Sequence, residues 1–389
     1  MNARPQKSLV GFTQRLRAPG CGQRGSVLLI VLITIMFATL ALYTYIERAS
    51  NDLLVEKRSS DATYLRLEAY SALETTLAVL EDFRLTNGSL KSPAEGWADP
   101  LDFAGYEPPE GTKVEITFID ESGKFSLPYV NQSTLVNLFK SWELSQSTSE
   151  TLADALLGWM KKDYVASSAS APDKDDYERE EIPYDPPGRP LRSFSELATI
   201  AVVRDVFYDE TGRPNELWHR FVSAFSLYSF QTPSINGASP ELLAGLGVSD
   251  TLQQRQLNDY LRGKGSYENR GAGYFKSGAD VSTFLGEHSP AATLSTQISA
   301  LRIIVTVSQG RASFRINALI APPNGATIPA IERSDEKEPV AGTDAQAKAP
   351  ATATDNSNQQ ATKKLNYPFT VLEFRENDEM PSPSPTAGL

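Results

Sequence analysis

From Ser26 to Tyr45 the chain reads SVLLIVLITIMFATLALYTY, 20 residues without a charge. At 1.5 Å rise per residue this makes a helix of roughly 30 Å, about the hydrocarbon thickness of a bilayer. The pattern then changes period rather than stopping. Glu47 to Leu85 contains no proline or glycine. Leu53, Leu54, Tyr64, Leu65, Leu67, Leu73, Leu77, Leu80 and Phe83 fall mostly on one side at helical spacing, and Glu56, Lys57, Arg58, Asp61, Glu68 and Glu74 take much of the rest. One helix is therefore expected to run from an apolar half, 26–45, into an amphipathic half, 46–86.

Beyond it the periodicity alternates between strand and helix. Leu90 to Pro109 reads as loop. Lys113 to Asp120 (KVEITFID) alternates as a strand, Glu121-Ser122-Gly123 turns, and Lys124 to Val130 reads as a second strand. Thr134–Leu144 and Thr151–Lys162 read as helices, and 163–190 as loop. Ser193 opens a further helix with Glu196 at capping-box spacing. Val222 to Ser234 is strand-like. Asn236-Gly237 turns into a helix with Ser239 as its N-cap and Pro240 at the first helical position. Short helices follow at 252–261 and 280–285. Leu301–Val307 and Ala312–Leu319 alternate around Ser308-Gln309-Gly310 as a hairpin. Residues 322–366 are rich in Ala, Pro, Thr, Lys and Asp, which predicts a disordered linker. A strand-like piece, 367–376, and a polar tail, 377–389, close the chain. Strands split by a helical run predict an α+β fold with one antiparallel sheet completed from distant parts of the chain.

Charge sets the direction of the first helix. The 25 residues before Ser26 carry Arg4, Lys7, Arg15, Arg17 and Arg24 and no acid. Positive charge is retained on the cytoplasmic side, so residues after Glu47 are expected outside. The apolar run is long for a secretory signal and lacks an Ala-x-Ala-like site after it. Cys21, the one cysteine, precedes the run and so does not fit a lipoprotein signal. Two readings remain: a basic leader cut after Gly25, or a signal anchor that is never cut. The net charge is −11, and −16 without the five leader bases. That acidity argues against nucleic-acid binding. With no cysteine after the leader, the external part has no internal disulfide.

A cleavable basic leader before a helix that is apolar and then amphipathic resembles the type IV pilins and pseudopilins. The resemblance implies cleavage between Gly25 and Ser26, N-methylation at Ser26, and a glutamate at the fifth mature position. That position is Ile30 here. Absence of the acid is similar to one minor pseudopilin of the type II secretion system, the general secretion pathway protein K family. Further segments carry the same resemblance. They are Ile119–Leu127, with its Asp-Glu-x-Gly hairpin; Leu152–Trp159, with Gly158 where the family has an acid; Pro190–Leu197; and Ile235–Leu246. It covers roughly residues 24 to 320. It implies a pilin-like sheet region (87–132, 221–235 and 300–320) with a large helical domain, 133–299, inserted and interrupted by strand 222–234.

The function so implied is assembly: an inner-membrane, single-pass subunit with a periplasmic domain that caps the pseudopilus tip and starts its assembly for protein export. Its implied partners are other minor pseudopilins, the prepilin peptidase and the inner-membrane assembly platform. The alternatives are an uncut envelope anchor with an acidic binding domain, and a minor pilin of a type IV pilus. Enzyme motifs are absent: no G-x-S-x-G, Walker A or H-E-x-x-H, and only His219 and His288 as histidines. One loop crowds acids, with Asp173, Asp175, Asp176 and Glu178 the candidate ligands for calcium, a cation that takes six to eight oxygens. Calcium binding by the inserted domain is also what the resemblance implies. Lys174 and Arg179 interrupt that run.

Overall fold

The computed structural model of the chain describes residues 24–248, 250–286, 293–330 and 368–377. The basic leader before Arg24, His288, the linker beyond residue 330 and the tail beyond Asn377 lie outside the described residues. The chain divides into two units, one up to Asp61 and one from Ala62 onward. Helix α1, Arg24–Asn87, contributes to both.

In the first unit α1 carries the apolar run. The stretch Val27–Leu53 has a window of mean hydropathy 2.5, none of which is buried inside the protein. The hydroxyls of Thr34, Thr39 and Thr44 each donate to the carbonyl three residues back, at 2.9 Å. Within a lipid phase this leaves those polar groups satisfied by their own helix.

In the second unit α1 lays a narrower stripe on a sheet than its apolar residues predict. Leu65, Ala69, Ala72, Leu73, Thr76, Val79 and Leu80 are buried, whereas Leu67 is 69% exposed and Tyr64 38%. The alanines let the helix approach closely, so the seam is set by small residues that a search for large apolar ones passes over. The sheet consists of β1 (Lys113–Asp120), β4 (Leu301–Gln309), β5 (Ala312–Ala321) and β6 (Thr370–Glu376), in that spatial order and antiparallel throughout. Ile303, Val305, Val307, Ile316, Ala318 and Ile320 alternate onto the α1 side and close a core with Trp97 and Phe369. The expected loop before β1 contains a short 3-10 turn at Pro93–Glu95 and helix α2, Pro100–Phe103.

Between β1 and β4 lies a mostly helical body. Its helices are α3 (Gln132–Ser141), α4 (Gln146–Met160), α5 (Lys174–Glu178), α6 (Ala201–Phe207), α7 (Glu216–Ala224), α8 (Pro240–Gly245), α9 (Thr251–Arg262) and α10 (Gly278–Leu285). They share a separate core around Leu135, Leu138, Phe139, Leu152, Leu156, Phe207, Phe221 and Leu242.

Three expectations from the pattern are corrected. Lys124–Val130 does not fold back on β1 as a hairpin. Strand β2 is only Phe125–Ser126, and it pairs in parallel with β3, Phe225–Ser226, across the helical body. A 3-10 turn at Leu127–Tyr129 with Pro128 inside it ends β2. Likewise 222–234 is not one strand. Val222–Ala224 ends α7, and among the described residues 227–234 forms no strand ladder but two isolated bridges, Ser229 to Thr327 and Ser234 to Ser295. The alternation there reflects side chains filling a junction, not a continuous ladder. Ser193 caps a 3-10 turn, Phe194–Thr199, not an α-helix. The carboxylate of Glu196 accepts from the Arg192 N–H instead of completing a capping box.

Candidate functional site

At the start of α1, Gly25 and Ser26 lie in the first turn and Ile30 one turn on, 58% exposed. No charged side chain occurs from Ser26 to Ile46, so the fifth position after Gly25 offers only aliphatic surface. This helix can pack against lipid or against similar helices, but it cannot form an ion pair at that position.

The remaining family-like segments turn out to be pins between elements. Asp120 ends β1 and turns its carboxylate inward, where Oδ1 accepts from the Ser122 N–H at 2.9 Å and from the Ser122 hydroxyl. Desolvation pushes this carboxyl up to about 7, against the opposing pull of Ser122 and Ser234. The turn that follows docks on the helical body: Ser234 N–H donates to Ser122 O at 2.7 Å and Ser239 N–H to Gly123 O at 3.2 Å. Asn236 holds the far side, its amide donating to Phe275 O and Thr296 O while Oδ1 accepts from Phe275 N. Ser239 caps α8 as its position predicts, accepting from Leu242 N.

Asp154, on α4, is buried and organises the acidic loop. Its Oδ2 accepts from the N–H groups of Ser167 and Ser168, at 2.8 and 2.7 Å, and its Oδ1 from Gln132 Nε2 and Tyr164 Oη. Burial together with this bond raises the Tyr164 hydroxyl well above its ordinary value. At Gly158 an added Cβ would meet the Tyr164 ring at an ordinary 3.8 Å, so packing here does not require glycine.

The four candidate calcium ligands do not converge. Asp173 caps α5 and exchanges backbone bonds with Asp176 in a capping box. Asp176 pairs with Arg179 at 2.9 Å, and Lys174 sits between Glu178 and Asp185 at 3.6 and 3.4 Å. The carboxylates of Asp173, Asp176 and Glu178 are thus engaged by backbone or by neighbouring cations. Among the described residues no group of three or more His, Cys, Asp or Glu is placed to hold a metal ion. The residues as arranged do not fit a calcium site. His219 lies on α7, edge-on to Trp218.

One cluster escaped the sequence reading. Arg302 in β4 is buried and meets three partners: Asn317 Oδ1 at 2.8 Å, Glu373 at 3.0 Å and Glu121 at 3.7 Å. Tyr228 Oη also donates to Glu373. Burial of Glu373 favours the neutral acid, but Arg302 and Tyr228 outweigh it and hold the carboxyl below its usual value. On the other face Glu376 accepts from Arg66 and Tyr70 of α1. The last strand therefore ties sheet, α1 and helical body together. The signal was an arginine inside the strand sequence LRIIV, where a charge among apolar residues calls for a partner.

Residues 126–211 match the family model described as type II secretion system (T2SS), protein K. None of the curated proteins matches the chain. Among solved structures, a chain of the GspK-GspI-GspJ complex from the enterotoxigenic Escherichia coli type 2 secretion system is similar, at 14% identity and a TM-score of 0.45, over 70% of this chain and 95% of that one. The matched stretch begins in β2 and runs through α3, α4, the Asp154-anchored loop and α6, so the similarity to protein K of the type II secretion system falls on the helical body inserted between β1 and β4.

Proposed function

We propose that this protein is a minor pseudopilin of a type II secretion system and sits at the tip of its pseudopilus. The observation that carries the reading is the match to the protein K model lying between two adjacent strands of a sheet, in a chain with a long uncharged stretch of helix near its N-terminus. A leader peptidase removes residues 1–25 and methylates Ser26, and the helix stays in the inner membrane with the larger domain on the periplasmic side. In subunits with a glutamate at the fifth position, that acid neutralises a neighbour's N-terminal amine within the lipid phase. Ile30 makes no such demand, so the subunit needs no neighbour beyond it. The bulk of the helical body blocks stacking of another subunit in that direction. Other minor pseudopilins, including counterparts of the GspI and GspJ chains in the similar complex, pack below. The role is mechanical and requires no catalytic residue.

The deciding experiment is the intact mass of the protein isolated from membranes. A chain beginning at Ser26 with one added methyl supports the reading. A chain retaining Met1 and the five leader bases refutes it and leaves an uncut envelope anchor. Ile30→Glu then tests position: tip placement predicts impaired initiation, and unimpaired or improved assembly contradicts it.

A further inference from the structure

Residues 251–276 depart from the charge of the rest of the chain. They hold Arg255, Arg262, Lys264, Arg270 and Lys276 against only Asp259 and Glu268, in a protein with 37 bases and 48 acids. All five cations are exposed, and none forms an ion pair among the described residues. Elsewhere in the same body four cations are paired, Lys174 with Glu178 and Asp185, Arg179 with Asp176, Arg189 with Glu196, and Arg204 with Glu180, and what sets 251–276 apart is the clustering of its cations.

The loop that carries these cations is held rigidly. Gly263 ends α9 in the left-handed region, at φ 61°. An added Cβ there would lie 2.4 Å from the carbonyl carbon of Gly271, so the two backbones touch. That contact brings Arg262 and Lys264 beside Arg270, across the 3-10 turn Gly265–Arg270. Beneath, Tyr260 anchors the return strand. Its carbonyl accepts from Gly273 N at 2.8 Å, its hydroxyl donates to Tyr274 O at 3.0 Å, and its ring meets Tyr267, Phe275 and Phe284. Along α9, Leu252, Arg255 and Arg262 recur at helical spacing on the exposed side.

We propose that this α9 loop surface, centred on Arg255, Arg262, Lys264 and Arg270, docks an acidic surface of another protein. Three features favour a protein over a lipid headgroup layer. Asp259 and Glu268 sit among the cations, which suits matched individual charges better than a uniform anionic sheet. Arginine with tyrosine is the composition enriched in protein interfaces. A pre-formed loop loses little ordering entropy on binding. The surface also lies outside the stretch that the protein K model matches, residues 126–211.

The test uses the full chain in phosphatidylcholine nanodiscs, with a fluorescent peptide of alternating Asp and Glu as probe. Binding is expected to weaken with salt and to fall about tenfold in Arg262→Glu. Lys140→Glu, at an exposed position on α3, changes the net charge equally and is expected to lose less than twofold. Arg262→Gln, which adds no acid at the end of α9, is expected to give an intermediate loss and guards against a folding defect in the glutamate variant. Equal losses in Arg262→Glu and Lys140→Glu overturn the proposal, because the peptide then follows net charge. Binding to phosphatidylglycerol vesicles that Arg262→Glu abolishes, with no binding of the peptide, also overturns it and assigns the surface to lipid.

Discussion

Gly123 and Gly237 face each other so closely that a Cβ on Gly123 would lie 1.9 Å from the Gly237 carbonyl oxygen. On the other side, a Cβ on Gly237 would lie 2.4 Å from Asp120 Oδ2. Here the turn after β1 seats against the helical body, backbone on backbone. Gly123→Ala must push the two apart and is expected to destabilise by about 3 kcal/mol, the upper end of overpacking costs. Gly278→Ala, in open space at the start of α10, is the control and should leave stability unchanged or slightly raised. Denaturant midpoints of the two variants compare them directly.

Asp154→Ala removes the acceptor for two backbone N–H groups and two side chains at once. Unpaired buried donors cost about 1–3 kcal/mol each. The expected result is a loss of about 3 kcal/mol and faster amide exchange at Ser167 and Ser168. Unchanged exchange at those two amides would show that the loop is held by something else.

Acid and base sides of the stability profile should respond to different residues. Asp120 has its carboxyl raised from 3.8 to about 7. The folded state binds that proton more tightly than the unfolded state, so this contribution is fully present below pH 3.8 and lost as pH rises through about 7. Glu373 runs the other way. Its folded value is depressed, so its contribution is present above its ordinary 4.5 and lost as pH falls through the depressed value. Asp120→Asn should therefore abolish the decline in urea midpoint between pH 4 and 7 and leave the acid limb intact. A decline that persists in the Asn variant rules out Asp120 as its source.

Arg302→Met leaves Glu121 and Glu373 facing each other without their shared cation. Breaking a buried pair from one side costs about 3–5 kcal/mol. Much of that cost should be recovered in the Arg302→Met, Glu373→Gln double variant, because the stranded charge is then gone. Equal stability of single and double variants would mean that Arg375 and Tyr228 hold the Glu373 charge without Arg302.

Much of this architecture was legible in the chain. The apolar run, β1 at Lys113–Asp120 and the β4–β5 hairpin are set by local period, and local period is what a sequence displays. The cap of α8 at Ser239 and Pro240 is equally local. What failed was pairing. Phe125–Ser126 follows a turn and looks like the return arm of a hairpin, yet its partner is Phe225–Ser226, chosen by packing between distant helices. The acidic loop misled for a related reason. Asp173, Asp175, Asp176 and Glu178 are dense in sequence, but a short helix and two cations divide them, and density does not give convergence. Glu373, which closes the Arg302 cluster, lies beyond a stretch whose composition gives no structural cue.

The split sheet also sets an order of events during synthesis. β1 is complete at Asp120, but its partner β4 begins only at Leu301. The whole helical body emerges in between, and among the described residues its core draws on none of β4, β5 or β6. It can therefore fold first and carry β1 as a waiting edge. β4 and β5 then arrive as a hairpin and pair with it. The sheet is finished only when Thr370–Glu376 emerges, because that strand brings Glu373 to Arg302 and Glu376 to Arg66. A chain released before residue 370 would leave β5 as a bare edge and Arg302 short of a partner, so β6 acts as the clasp that completes the sheet.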